Sequence, residues 1–513
     1  MTPWPHQLRA VNEIEAAIAR GERRICLTIP TGGGKTWVAQ ELIRRKLAEG
    51  KRAILYTNRR ALVEQTSNVM ADAGVYHGVR AAGYQDEREH PFQISSLQTE
   101  QSRTLKRKTW ELHNADLVIV DEGHLHTGPT ACEVRRQHSD AGAAIVDLTA
   151  TPINMGDVCN LLIQAGTVSE LRECGALVPA VHFGPDEPDM RAFKKLREGE
   201  DLSESEQRKA MMTPTLWGRV WEWFEKLNPD HRPTILFAPG VRESIWFAER
   251  FQESGVTAAH IDGTDVWIDG ELHKTSTTLR NEVLDGSRTG RIKILCNRFV
   301  LREGIDAPWL AHGIFATVFG ALQSYLQSGG RLLRSHPSLE TVTIQDHGGN
   351  WWRHGSLNAD RQWLLEYTAT MVYGLRADRL RAKRQEEPFR CPQCGRIWNV
   401  RTRCQPAHGG CGYELKSNKR SRAVVSTDGS LKQMVGDIFV PRRISRDPHG
   451  PQLWERMYHR SRTERGARSF RAAAALFAYE NDWGWPDPNW PLMPIHELDW
   501  YQQVADVPRE RLT

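Results

Sequence analysis

Ile29-Pro30-Thr31-Gly32-Gly33-Gly34-Lys35-Thr36 follows an apolar run, Ile25 to Leu27, and precedes a helix-like segment from Trp37 to Ala48. That order reads as strand, phosphate loop, helix. Consecutive glycines after Thr31 let the backbone turn with its N–H groups pointing inward, Lys35 can reach the β- and γ-phosphates, and Thr36 can offer its hydroxyl to Mg²⁺. The expected ligand is a nucleoside triphosphate. The pattern usually opens with Gly six positions before the lysine, where this chain has Ile29. A Gly-rich turn ahead of an ordinary helix is the bland alternative, and the remainder of the chain weighs against it.

At 513 residues the chain is too long for one core, and usual domain sizes suggest three or four units. With 40% apolar and 26% charged residues it has the composition of a globular protein. The apolar runs are too short to span a bilayer, and Met1-Thr2-Pro3-Trp4-Pro5 lacks the basic-then-apolar order of a signal peptide, so a cytoplasmic location without membrane contact is expected. The net charge is only +5, from 68 basic and 63 acidic residues, so any polyanion partner must be held by local clusters. Of the nine cysteines, Cys26, Cys132, Cys159, Cys174 and Cys296 are scattered, whereas Cys391, Cys394, Cys404 and Cys411 fall together and suggest a metal.

Ahead of the loop, Pro3-Trp4-Pro5-His6-Gln7 leads into a helical pattern from Leu8 to Ala19. Gln7 is the candidate adenine reader, because an amide can both donate to and accept from the edge of that base. Beyond the loop, the buried-strand pattern Ala53 to Tyr56 runs into Thr57-Asn58-Arg59-Arg60, and Phe92 to Ile94 runs into Ser95-Ser96-Leu97-Gln98-Thr99. Polar turns that open helices can grip phosphates, which makes Arg59, Arg60, Ser96, Gln98 and Thr99 candidate nucleic-acid contacts.

Leu117-Val118-Ile119-Val120 delivers Asp121-Glu122-Gly123-His124 at a strand end, where open α/β sheets place their ligands. Asp121 is expected to hold Mg²⁺ and Glu122 to orient and deprotonate the attacking water. A further apolar strand, Ala143 to Leu148, ends in Thr149-Ala150-Thr151-Pro152, whose hydroxyls can couple the hydrolysis site to a moving partner domain.

Taken in order, Pro30 to Thr36, Asp121 to His124 and Thr149 to Pro152 make the first half resemble the superfamily 2 helicases of the DEAD/DEAH-box type. The resemblance implies a RecA-like domain that hydrolyses ATP to move along or remodel nucleic acid, with Gln7 in the place of the adenine-reading glutamine and His124 within the catalytic set. Trp4 stands where many members carry an arginine, and Gly123 where Ala or Cys is commoner.

In the second half, strands expected at 234–237, 258–261, 292–296, 313–316 and 341–344 alternate with helix-length segments and imply a second parallel sheet. Arg302-Glu303-Gly304-Ile305-Asp306-Ala307-Pro308 resembles the family's motif V, which implies nucleotide contacts at Gly304 and Asp306 and a nucleic-acid contact at Arg302. Gln327-Ser328-Gly329-Gly330-Arg331-Leu332-Leu333-Arg334 matches motif VI, with Gln327 in a coupling role. Arginines three apart share a helix face, so Arg331 and Arg334 can both complement charge on the transferring phosphoryl group. The stretch 262–274, with Trp267, is expected as a surface loop, with a hairpin as the alternative.

Past Asp346-His347-Gly348-Gly349-Asn350, an Arg-rich segment from Asp360 to Arg384 reads as helical. Cys391-Pro392-Gln393-Cys394 has the form of a metal knuckle that Cys404 and Cys411 complete as a Zn²⁺ ribbon, with His408 as an alternative ligand. Arginines between Arg456 and Arg471, interleaved with aromatics, suit phosphate contact with base stacking, and the Trp-rich end is expected to pack on another domain. The helicase core, the Asp346 to Asn350 stretch and the ribbon together resemble the RadD-like bacterial and phage DNA-repair helicases.

The expected fold is therefore α/β: a first RecA-like domain (1–180), a charged linker or insertion (181–212), a second RecA-like domain (213–350), a connecting helical segment (351–387), a zinc ribbon (388–418) and a basic, mostly helical C-terminal region (419–513). The implied cofactors are ATP, Mg²⁺ and Zn²⁺. The implied partners are nucleic acid, DNA before RNA, and repair or replication proteins. The alternatives are an RNA helicase, an ATP-switched clamp or annealing factor, and the motor subunit of a restriction or defence complex.

Overall fold

Apolar runs bounded by polar turns become the strands of a wholly parallel seven-stranded sheet in the computed structural model. The structure describes residues 3–57, 60–81, 83–84, 87–185, 214–298 and 307–368, and beyond these 389–390, 397–398, 411, 413, 431–434, 443–444, 450–465, 484–487 and isolated positions between 470 and 492. The first-sheet strands are β1 (Arg24–Thr28), β2 (Ala53–Thr57), β3 (Gly78–Arg80), β4 (Phe92–Ser96), β5 (Leu117–Val120), β6 (Ala144–Thr149) and β7 (Leu161–Gln164). Across the sheet they run in the order β3-β4-β2-β5-β6-β1-β7. β2, β5 and β6 are buried along their whole length, which is why they read as mostly apolar runs rather than alternating ones, with Asp147 interrupting β6. Helix α1 (Pro5–Ala19) starts with Pro5 at its first turn and buries Ala10, Val11, Ile14 and Ala17. Helix α2 (Lys35–Ala48) presents Val38, Ala39, Leu42 and Ile43 to the same core.

The second sheet has nine strands. They are β8 (Ala180–Gly184), β9 (Thr234–Phe237), β10 (Ala258–Ile261), β11 (Asp265–Ile268), β12 (Glu271–Lys274), β13 (Ile294–Asn297), β14 (His312–Phe315), β15 (Val342–Asp346) and β18 (Lys432–Met434), where β16 (Phe389–Arg390) and β17 (Ile397–Trp398) form a separate hairpin. Their order is β12-β11-β10-β13-β9-β14-β15-β8-β18. The expectation of a purely parallel sheet is corrected here. β11, β12 and β18 pair antiparallel at its two edges.

Other expectations shift as well. The stretch 262–274 is a hairpin and not a surface loop, with Trp267 packed into the core and its turn made by Asp269 and Gly270, both at positive φ (53° and 88°). The linker expected from 181 starts inside β8, which joins the second sheet beside β15, while 186–213 lie outside the described residues. The segment expected to be helical from 351 begins with the end of a short helix, 355–368 have no helix, and 369–387 lie outside the described residues. In the C-terminal region the described residues comprise short strands as well as a helix, Gly450–Arg465, and Trp454, Phe470, Phe477 and Trp485 are buried in the core of the second sheet. No helix among the described residues is long and apolar enough to cross a membrane.

Candidate active site at the junction of the two sheets

Because every strand of the first sheet runs the same way, its C-terminal edge gathers the loop after β1, Asp121 after β5 and the threonines that end β6. β6 lies between β5 and β1, and Ile29 N–H donates to Thr149 O at 3.2 Å, so the phosphate loop and the Thr149-Ala150-Thr151 turn are backbone neighbours. Gly32 (φ 90°) and Gly34 (φ 81°) both take the left-handed conformation, which turns successive N–H groups toward one point at the start of α2. That is an anion cradle made by the backbone, with Lys35 as the first residue of the helix.

The cradle is braced from α1. His6, buried, lies with Nε2 2.8 Å from Gly33 O, so Nε2 carries the proton and donates. Gln7 is buried with its Oε1 accepting from Trp4 N–H (2.9 Å) and its Nε2 donating weakly to Gly33 O and Gly34 O (3.4 and 3.5 Å). Both ends of the amide expected to read adenine therefore face the protein backbone, and reading a base requires the weakly held Nε2 to leave the loop. His6 was missed by sequence reasoning, although its place beside Gln7 was the available signal.

At the end of β5, Glu122 stands at φ 47°, a left-handed conformation that costs a non-glycine residue about 1 kcal/mol and persists only when the surroundings impose it. Its Oε2 lies 3.4 Å from His124 Nδ1, and that nitrogen shares a 2.8 Å hydrogen bond with the Thr149 hydroxyl. Thr149 Oγ1 also accepts from Thr151 N–H at 3.0 Å. The expected coupling residues thus touch the expected catalytic ones through His124. Burial, reinforced by the Lys35 ammonium, pushes the His124 pKa down to about 4, so the imidazole is neutral at pH 7. Behind it, Arg135 bonds Asp147 and His126 O in a buried pair, and Asp147 fills the space where a side chain at 123 would begin.

The second domain closes the site with α10 (Leu322–Leu332), the helix of the motif VI resemblance. A Cβ on Gly330 would come within 2.6 Å of Thr31 Cβ, so the helix backbone rests on the phosphate loop itself. α10 ends at Leu332, so Arg331 lies in its last turn and Arg334 beyond it, and the expectation of a shared helix face for the two arginines does not hold. Arg334 is instead placed by a bridge to Leu177, with its Cγ 3.4 Å from where a Gly32 Cβ would lie. Gln327 is on α10, half-buried.

The Asp346 to Asn350 stretch holds the approach to α10. The fully buried Asp346 carboxylate accepts from Gly348 N–H (3.1 Å), Trp351 N–H (2.8 Å) and Asn350 Nδ2 (2.8 Å). Asn350 donates to Thr317 O (2.8 Å) and accepts from Phe319 N–H (2.7 Å). After α11 (Asn350–His354) Asn358 pairs with both backbone groups of Ala180 at the start of β8 (2.9 and 2.7 Å), and the chain then returns to the first domain: Ser169 N–H donates to Asp360 (2.8 Å), and Gln164 donates to Arg361 O (2.6 Å) and accepts from Trp363 N–H (3.1 Å). This strap joins both sheets, and no sequence pattern announced it.

Among the nucleic-acid candidates, Ser96 ends β4 and Thr99 lies in the short helix α4 (Leu97–Glu100), where the two hydroxyls bond each other at 2.8 Å, and Gln98 is exposed. These residues occupy the same sheet edge as the cradle, on the β2 and β4 side. Arg60 begins α3 (Arg60–Asp72). Arg59, Arg302, Gly304 and Asp306 lie outside the described residues, as do Cys391, Cys394 and Cys404, while Cys411 is exposed. No cluster that could hold a metal ion occurs among the described residues.

Residues 1–154 match the family described as type III restriction enzyme, res subunit, and residues 220–336 match the helicase conserved C-terminal domain. A 51.5 kDa protein of Lactococcus phage (isolate 7-9) is 24% identical over 462 residues, 88% of this chain and 92% of that one. The type I restriction enzyme EcoAI endonuclease subunit of Escherichia coli is 27% identical over 160 residues, which make up 29% of this chain and 19% of that subunit. Among solved structures, a Vibrio vulnificus YJ016 chain described as an HsdR fragment of a type I restriction enzyme shares the fold, with TM-score 0.50 and 17% identity over 68% of this chain and 65% of that one.

Proposed function

We propose, for a chain that carries the two domains of a superfamily 2 helicase, that it hydrolyses ATP to translocate on or remodel nucleic acid, with DNA as the substrate. The observation that carries this reading is the junction itself: Gly330 rests on Thr31 and Arg334 lies over Gly32, so the phosphate cradle of one domain is roofed by the other. A site built from two bodies can open and close with whatever strand bridges them, which is how hydrolysis becomes coupled to movement.

The cradle fits a triphosphate. Gly32, Gly33 and Gly34 supply inward N–H groups, Lys35 the cation, and Thr36 and Asp121 are the residues that would hold Mg²⁺, whose charge, when bound, offsets that of the phosphates. Glu122 orients the attacking water and takes its proton. Neutral His124 transmits its position to Thr149 and Thr151, and Arg331 and Arg334 meet charge that develops on the transferring group. Arg59, Arg60, Ser96, Gln98, Thr99 and Arg302 contact the strand, Gly304 and Asp306 the nucleotide, and Gln327 couples the two. The same reading includes a zinc ribbon held by Cys391, Cys394, Cys404 and Cys411, the first two of which fall between the strands of the β16-β17 hairpin.

The role belonging to this reading is in phage replication or repair of the RadD-like kind, and a protein of matching length from a phage is among the similar chains. The matching res-subunit family favours a second reading, the motor of a restriction or defence complex, which requires a nuclease partner. Hydrolysis rates against single-stranded, duplex and forked DNA and against RNA, with strand displacement on the same substrates, test the first. DNA stimulation supports it, exclusive RNA stimulation would replace DNA with RNA, and stimulation without displacement would favour a clamp or translocase. Co-purification of a nuclease would establish the second.

A further inference from the structure

We propose that the turn from Gln101 to Trp110 is an additional nucleic-acid contact of the first domain, a cationic lobe that takes the phosphodiester backbone of the strand held at Ser96 to Thr99. The proposal rests on the reading above. Gln-Ser-Arg-Thr-Leu-Lys-Arg-Lys-Thr-Trp carries four basic and no acidic residues, in a chain whose total net charge is +5. Lys106, Arg107 and Lys108 are exposed.

Several exposed arginines elsewhere on the described surface have acidic partners one helical turn away: Arg136 with Glu133 and Asp140, Arg250 with Glu253, Arg288 with Asp285, Arg44 with Glu41. Those are ordinary solvated faces. Lys106, Arg107 and Lys108 make no ion pair among the described residues. Three neighbouring cations without a counter-charge repel one another, and an anionic partner removes that cost.

The lobe is also held in shape. Residues Gln101–Lys106 form a π-helical turn that continues α4, a rare geometry that is frequent at functional sites. Thr104 Oγ1 donates to Glu100 O (2.7 Å), Arg107 N–H to Ser102 O (2.9 Å) and Thr109 N–H to Arg103 O (2.8 Å), while Lys108 takes φ 53°. The guanidinium groups of Arg80 and Arg103 lie 5.1 and 5.0 Å from the Trp110 ring centroid. Arg80 in turn is buried, paired with Glu100 at 2.8 and 3.2 Å, and donates to Glu111 O at 2.7 Å. A buried ion pair contributes little net stability but fixes position firmly, since breaking it leaves a charge unpaired. Here it ties β3, α4 and the return of the turn together, immediately beyond Ser96 on the sheet edge that carries the cradle.

The test is the triple variant Lys106→Gln, Arg107→Gln, Lys108→Gln, titrated with a labelled single strand between about 50 and 200 mM salt beside the parent protein. For a single strand, each cation withdrawn from a phosphate lowers the slope of log K against log salt by ~0.7, so a fall of about 2 is expected, with binding weakened roughly tenfold or more at the low-salt end. The strand concentration giving half-maximal stimulation of ATP hydrolysis rises by the same factor, while the rate at saturation holds. Unchanged affinity and slope in the variant, with a parent that binds and is stimulated, overturn the lobe alone. A parent that binds no strand overturns both the lobe and the function on which it rests.

Discussion

A methyl group at position 123 would fall on the Asp147 side chain, 2.8 Å from its Cβ, and Asp147 cannot retreat because Arg135 and the core of β6 hold it. This gives a physical reason for glycine at a position where the DEAD/DEAH-box pattern it resembles more often has Ala or Cys. Gly123→Ala is therefore expected to lower stability by about 1–3 kcal/mol through overpacking, and to slow hydrolysis by displacing His124 from Thr149. A thermal melt beside a rate measurement checks both, and an unchanged melting temperature would show that Asp147 moves freely. The carboxylates after β5 were legible because an apolar run delivers them to a sheet edge. The Arg135–Asp147 pair was not, since it joins a helix to a central strand, although an aspartate inside the run Ala144-Ile145-Val146-Asp147-Leu148 was a signal that a buried partner must exist.

Between elements, the decisive contact is α10 on the phosphate loop. Gly330→Ala would force the helix away from Thr31, and since the phosphate loop is packed closely against Leu171 and Leu177, the loop has little room to yield. The expected outcome is retained nucleotide binding, measured with a fluorescent analogue, and a loss of at least ~10-fold in strand-stimulated hydrolysis. Equal rates would mean that the two domains do not need this approach. Motif VI was legible as a string, but the helical-face argument for its arginines failed because α10 stops at Leu332 and a bridge to Leu177 positions Arg334. The β11-β12 hairpin failed differently. Asp269-Gly270 between alternating strands is a two-residue hairpin signal, yet the polar composition of 262–274 left the hairpin only as the alternative to a loop.

For the molecule as a whole, burial sets the response to acid. His113, His124, His126, His182 and His312 are each pushed down to about 4, and His138 and His347 to about 3, chiefly because burial disfavours the charged ring. Their folded pKa values lie below the unfolded value of ~6.5, so the unfolded chain takes up more protons, and stability is lost as pH falls from about 6.5 toward 4. Asp346, raised to about 6, and Glu100, also raised, act in the opposite sense on the acid side. Seven histidines outweigh two carboxyls, so denaturant midpoints should drop steeply between about pH 6.5 and 4.5. A flat profile would mean that the histidines are not neutral and buried together. In the C-terminal part, protein prepared under reducing conditions without chelator should contain about one zinc per chain, released by the pair Cys391→Ser and Cys394→Ser. Absence of zinc would remove the ribbon. That part was the least legible, because clustered cysteines and short strands replace the long apolar runs that revealed the two sheets.

The central claim is that this two-domain site hydrolyses ATP under the control of a bound strand. Steady-state hydrolysis by the parent protein and by Glu122→Gln, each with and without nucleic acid, tests it most directly. The account predicts that strand raises the parent rate, and that Glu122→Gln binds ATP but loses ~10²–10⁴ in rate with or without the strand. A parent rate indifferent to every nucleic acid, or near-normal turnover by Glu122→Gln, would contradict it.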